Sequence, residues 1–202
     1  EITRFLLDKG CEIIVVACNT ATAAAISTLR EEFPVRFIGM EPAIKPAAQA
    51  TKTGVVGVLA TAGTLKATKY LDTREKWAQN VKIVEHIGQG FVELVENGDI
   101  NSPTAEQTVR TSLLPLLEAG ADTIVLGCTH YPFLMSTISD IAKASFPERE
   151  TVIIDPAPAV ARHLQDVMEK EGIETRCPSG FSIELHSSGA SENLIRTYSM
   201  LL

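Results

Sequence analysis

The sequence predicts an α/β fold of two lobes, each built on a mainly parallel sheet with flanking helices. Three observations carry this. Aliphatic runs alternate with helical patterns through most of the chain, the order that parallel strands joined by crossovers require. Runs such as Ile13-Ile14-Val15-Val16 and Ile124-Val125-Leu126 are continuously apolar, which marks strands covered on both faces. Proline-bearing crossings at Glu41-Pro42 and Asp155-Pro156 separate residues 1–41 plus 155–202, the first lobe, from an inserted lobe of residues 42–154.

The elements follow in order. Ile2, Phe5 and Leu6 lie at helical spacing and Gly10 caps them. A chain that opens on a helix without Met reads as a fragment whose preceding strand lies upstream. Ile13–Ala17 is a buried strand. Thr22–Phe33 is a helix stopped by Pro34, and Arg36–Gly39 is a short strand. Pro42 and Pro46 then turn the chain. Gly54–Leu59 is a strand, followed by Thr61-Ala62-Gly63-Thr64 and one helix to about Ala78; Val81–Val84 is the next strand. Ser102 as N-cap and Pro103 in the first turn open the clearest helix, with Val109, Leu113, Leu116 and Leu117 inward, a kink at Pro115 and Gly120 at its end. Thr123–Gly127 is a strand, Phe133–Ser145 a helix and Val152–Ile154 a strand. Ala159–Glu171 is a helix closed by Gly172. Phe181, Ile183 and Leu185 alternate as a half-exposed strand before a last helix from Ser191.

Composition narrows the function. The chain has 202 residues, enough for a sizeable core, with 45% apolar and 21% charged. A net charge of −7 with no Lys/Arg cluster argues against nucleic acid as a partner. No apolar run approaches the ~20 residues that span a bilayer, so no membrane partner is expected. No signal-peptide pattern opens the chain. Four cysteines without a close framework read as reduced thiols of a cytoplasmic protein.

Two strand-to-helix junctions carry nearly the same phrase, Ala17-Cys18-Asn19-Thr20-Ala21 and Gly127-Cys128-Thr129-His130-Tyr131. Ligands of open α/β sheets collect beyond the carboxyl ends of strands. The free N–H groups of a starting helix favour a negative charge there, so a thiol at that place is disposed to act as a thiolate. The same N–H groups, with Asn19, Thr20 and Thr129, can hold a carboxylate, and His130 can exchange a proton with a nearby thiol. Other readings stand beside this one. Each Cys could be a small buried hydrophobe, or the two could form a disulfide. Zinc lacks ligands, since Cys128 and His130 supply two where a site needs three or four. Cys11 packs under the first helix, Cys177 is incidental, and His86, His163 and His186 are surface or packing residues. Tyr131 and Pro132 position the helix after them or touch substrate. Gly57-Val58-Leu59-Ala60-Thr61-Ala62-Gly63-Thr64 has the form of an anion-binding loop, yet lacks the P-loop Lys and the dinucleotide fingerprint; Thr61 and Thr64 could equally be helix caps.

The stretches Val15-Val16-Ala17-Cys18-Asn19-Thr20-Ala21-Thr22 and Leu126-Gly127-Cys128-Thr129-His130-Tyr131-Pro132 resemble the two signature segments of the glutamate racemases. Gly57 through Thr64 and Glu41-Pro42-Ala43 agree with that resemblance. It implies racemization of glutamate in the cleft between the lobes, with no cofactor and no metal, by two bases. Cys18 then matches the base for the D-enantiomer and Cys128 the base for the L-enantiomer, with His130 assisting the second. Asn19, Thr20, Thr61, Thr64, Thr129 and His130 match residues that hold the amino acid. His130 occupies a place where the aspartate racemases carry Glu, which favours glutamate over aspartate. The family reading also implies D-glutamate for peptidoglycan synthesis and a homodimer. The family's leading Asp-Ser-Gly and Tyr-Gly segments are not in this sequence, so impaired turnover is expected of the fragment. The alternatives are a truncated protein that binds an acidic amino acid, an aspartate racemase, and a thiol redox protein.

Overall fold

The aliphatic runs pair as two parallel sheets in the computed structural model, which describes residues 1–173, 182–189 and 191–201. The first sheet joins β1 (Ile13–Val16) to β2 (Arg36–Gly39). The second has four strands in the order β4-β3-β5-β6, with β3 at Val55–Ala60, β4 at Lys82–Ile87, β5 at Thr123–Gly127 and β6 at Val152–Ile154. All its pairings are parallel, and β3 lies centrally in register with β5, Ala60 beside Gly127.

Alternation along the central strands fills two cores. Leu59, Ile124 and Leu126 face one side, where they meet Val109, Leu113, Leu116 and Leu117 of α7 (Pro103–Glu118) and Ile138 and Ile141 of α8 (Met135–Ser145). Val56, Val58, Ala60 and Val125 face the other, against Ile44 and Ala47 of α3 (Ile44–Ala50) and Tyr70 of α5 (Thr68–Ala78). A strand buried on both faces needs no polar side, which is why these runs read as unbroken aliphatics. The smaller sheet has its own cluster of Ile14, Phe37 and Ile26, the last from α2 (Asn19–Glu32). Leu6 of α1 (Ile2–Asp8) and Cys11 pack on its border, as expected for Cys11.

Thr22 fixes the start of α2. Its buried hydroxyl donates to Val16 O at 3.0 Å and accepts from Met40 N at 3.0 Å, joining α2 to the ends of both strands. Gly39 permits this approach, because a Cβ there would lie 2.5 Å from Thr22 Cγ2.

Several elements depart from the sequence reading. α2 begins at Asn19 rather than Thr22, because Cys18 is itself the N-cap. The helix expected from Thr64 to Ala78 is two, α4 (Ala62–Leu65) and α5, broken where Ala67 turns extended. Two short helices were not foreseen. α3 carries Pro46 in its first turn, where a residue lacking an N–H forfeits no helical hydrogen bond. α6 (Phe91–Asn97) lies between Gly90 and Gly98, both left-handed. Tyr131–Leu134 is a turn of 3-10 helix before α8. α9 (Ala157–Glu171) starts two residues early, with Ala157 N donating to Asp155 Oδ1 at 2.9 Å. The strand predicted through Ile183 and Leu185 does not form: residues 182–187 have no regular structure, and Phe181 lies outside the described residues, as does Cys177. α10 spans Ser191–Leu201. Among the described residues, no helix is long and apolar enough to cross a membrane.

Candidate active site

The carboxyl ends of β1, β3 and β5 deliver the site. Cys18 follows β1 as N-cap of α2, with extended backbone, and its Sγ accepts from Ala21 N at 3.5 Å. Cys128 follows β5, half-buried beside the larger core. The two are free thiols 110 positions apart in sequence, and both line one cavity of about 190 Å³. Asn19, Thr20, Thr61, Val92, Gly127, Thr129 and His130 complete its wall. The structure thus brings seven of the eight candidate residues to one place.

Thr64, the eighth, is 1% exposed and does not line the cavity. It acts one step behind. The hydroxyls of Thr20, Thr61 and Thr64 form a triangle, each 3.0 Å from the other two, which ties the first turn of α2 to the junction of β3 and α4. Thr61 is also the N-cap of α4, its Oγ1 accepting from Thr64 N at 3.3 Å. The cap and binding readings of Thr61 are therefore compatible.

Asn19 is 3% exposed, and neither its amide nitrogen nor its amide oxygen has a hydrogen-bond partner. Buried amides are nearly always paired, so the Asn19 amide in the cavity wall stands out in having both polar atoms free of a protein partner.

His130 stands between two acidic partners. Nδ1 lies 3.8 Å from Cys128 Sγ, and Nε2 lies 2.7 Å from Glu96 Oε1. The bond to Cys128 is the largest influence raising its pKa; burial opposes it, and Glu96 raises it further, to about 9. His130 is therefore cationic at neutral pH and is the one basic side chain among the lining residues. Glu96 and Val92 were missed by sequence reasoning. Both lie on α6, four residues apart and so on one helix face, while Phe91, Leu94 and Val95 are buried on the other. α6 has seven residues, too few for that spacing to stand out in the sequence.

The remaining candidates do not line the cavity. Tyr131 is fully buried, its ring 4.9 Å from that of Phe91 and its hydroxyl donating to Gly88 O at 3.3 Å; it positions the turn. His86 bonds the backbone oxygen of Ile87, His186 packs on Phe5, and His163 lies beside β2 on α9. Among the described residues, no group of three or more His, Cys, Asp or Glu could hold a metal.

The α/β fold thus brings two thiols, each just past the carboxyl end of a parallel strand, to one cavity, and its relatives are amino-acid racemases. The chain belongs to the Asp/Glu/Hydantoin racemase family, whose pattern matches residues 1–164. The glutamate racemase of Methylococcus capsulatus is 47% identical over 201 residues, covering 99% of this chain and 72% of that protein. That of Herpetosiphon aurantiacus is 46% identical over 189 residues, 94% of this chain and 72% of that protein. Among solved structures, Escherichia coli glutamate racemase in complex with L-glutamate and the activator UDP-MurNAc-Ala matches with a TM-score of 0.78 at 30% identity, over 99% of this chain and 75% of that one.

Proposed function

We propose that the chain interconverts L- and D-glutamate without a cofactor, using Cys18 and Cys128 as the two bases. The observation that carries this reading is the cavity lined by both thiols, with Asn19, three threonines and the cationic His130 beside Val92 and Gly127. In the D-to-L direction the Cys18 thiolate takes the α-proton while the Cys128 thiol gives one to the opposite face of the same carbon. The charge passes from one sulfur to the other, and the reverse direction exchanges the roles. The α-carbon is a very weak acid, so the developing carbanion needs fixed donors around the carboxylate. Asn19, Thr20, Thr61 and Thr129 supply them, and Thr64 steadies Thr20 and Thr61. His130, held by Glu96, supports negative charge on the Cys128 sulfur and can return its proton.

The division into lobes of residues 1–41 with 155–202 and residues 42–154 belongs to the same proposal. Its support is that β3 to β6 all fall within the second range, while α9 returns to β2, Arg36 Nη2 meeting Glu171 Oε1 at 2.6 Å. The cavity would then be the cleft between lobes. We place the protein in the cytoplasm, as a homodimer, with D-glutamate going to peptidoglycan synthesis; sedimentation of the purified protein tests the dimer.

The decisive experiment is incubation with L-glutamate in deuterium oxide. Loss of optical rotation together with α-deuterium uptake is expected, and both should vanish in C18S and C128S. Affinity for glutamate without exchange would leave a binding protein, and loss of two thiols on mild oxidation with indifference to glutamate would leave a redox protein.

A further inference from the structure

Glu96 stands in the last turn of α6, where helix carbonyls lack a following turn to satisfy them. The cap amides of Gly98 and Asp99 go to Val95 O and Leu94 O, at 3.0 and 2.9 Å, and pass Glu96 by. Its carbonyl is served from the far end of the chain instead: Arg196 Nη2, on α10, donates to Glu96 O at 3.3 Å across 100 positions. The charge is apt. A carboxylate near a helix C-terminus is opposed by the helix dipole, and a guanidinium at the same end offsets that.

The residues before α10 are anchored elsewhere. Glu184 accepts from Lys9 Nζ at 3.5 Å, and the His186 ring stands edge-on to Phe5 with 5.0 Å between centroids. The described C-terminal residues thus touch α1 beside the small sheet and α6 beside the large one.

We propose that Arg196 is a positioning residue for the chain Glu96–His130–Cys128. By holding the last turn of α6 from outside, it keeps the Glu96 carboxylate on one nitrogen of His130 and the other nitrogen on the Cys128 sulfur. The proposal rests on the reading of Cys128 and His130 as an acid–base pair. Arg196 does not line the cavity, so its part is to fix the main chain that carries Glu96.

Charge alone and positioning predict opposite signs. The groups that face His130 are Cys128 from the end of β5 and Glu96 from α6; Cys18 lines the same cavity, and the Arg196 guanidinium sits on the Glu96 carbonyl. Removing a nearby cation would by itself raise the His130 titration midpoint. Loosening Glu96 removes an anionic partner and lowers it.

The test uses R196M, which keeps the apolar stem and removes the donors, and R196K, which restores a cationic donor. NMR titration of the His130 imidazole should give a lower midpoint in R196M and a return towards wild type in R196K. In the deuterium assay, kcat should fall roughly fivefold in R196M with KM little changed, the loss expected of one weakened hydrogen bond. An R196M midpoint that is unchanged or raised overturns the proposal, as does R196K behaving like R196M. Wild-type protein that exchanges no α-deuterium would sink the racemase reading instead, while the titration still reports on Arg196.

Discussion

Glu96 Oε1 lies 2.7 Å from His130 Nε2, and this contact decides which ring nitrogen is presented to the cavity. With Nε2 committed to the carboxylate, Nδ1 is left to face Cys128 Sγ at 3.8 Å. Glu96→Gln keeps the size of the partner and removes its charge. The His130 midpoint should fall from about 9, since one of the influences raising it is gone, while the larger one from Cys128 remains. Cys128→Ser should lower it further. Imidazole NMR titration measures both, and turnover in E96Q should drop roughly tenfold, the worth of one charge-assisted hydrogen bond. An E96Q midpoint equal to wild type would show that Glu96 is a bystander.

The same pair makes stability depend on pH in a defined direction. The folded His130 binds its proton more tightly than the unfolded chain does, with a midpoint raised from 6.5 to about 9. Its contribution is therefore complete below pH 6.5 and is lost as pH rises through 9. Urea unfolding of wild type and H130N across that window should show the stability difference between them shrinking towards alkaline pH. A difference that grows would mean His130 is neutral in the folded protein.

Asn19 offers a separation of stability from binding. Both polar atoms of its side chain are buried and unpaired, so the folded protein already bears their desolvation. Asn19→Ala should leave the melting temperature unchanged or slightly higher. Glutamate binding should nevertheless weaken about 10- to 100-fold, because the ligand loses one or two hydrogen bonds in a closed site. Calorimetric melting and titration with L-glutamate check the pair of outcomes; a marked fall in melting temperature with unaltered affinity would show that Asn19 serves the fold.

Much of this was legible in the sequence, for identifiable reasons. The strands could be read because burial on both faces leaves unbroken aliphatic runs, and the helix at Pro103–Glu118 because its cap, proline and apolar stripe agree. Cys18, Cys128 and His130 could be read because a thiol at a strand end followed by donors is a local pattern. Glu96 could not, since its meaning depends on a contact across 34 positions and on a seven-residue helix too short to show periodicity. α3 was hidden by Pro46, which usually speaks against a helix and here sits where one is tolerated. Ile183 and Leu185 alternate as strand residues do, yet no ladder partner meets them among the described residues, and alternation without a partner does not make a strand.

The glycines of Gly57 through Thr64 divide fold from site. Their service is close packing: a Cβ on Gly57 would stand 2.7 Å from Ile124 Cδ1 and 3.1 Å from Leu116 Cβ, in the middle of the larger core. A Cβ on Gly63 would stand 3.0 Å from Thr20 Cγ2, at the hydroxyl triangle. Gly57→Ala should therefore destabilise the protein by about 1–3 kcal/mol through overpacking, with the turnover of the remaining folded protein little changed. Gly63→Ala has an exposed position and a movable methyl to push against, so its effect on melting should be small. It should instead pry Thr20 from Thr61 and Thr64, widen the space between the walls that carry Cys18 and Cys128, and lower kcat several-fold. Denaturant unfolding and α-deuterium exchange on the two variants read the contrast. If Gly63→Ala turns over glutamate like wild type, the close approach of α2 to α4 is not what sets the distance between the thiols.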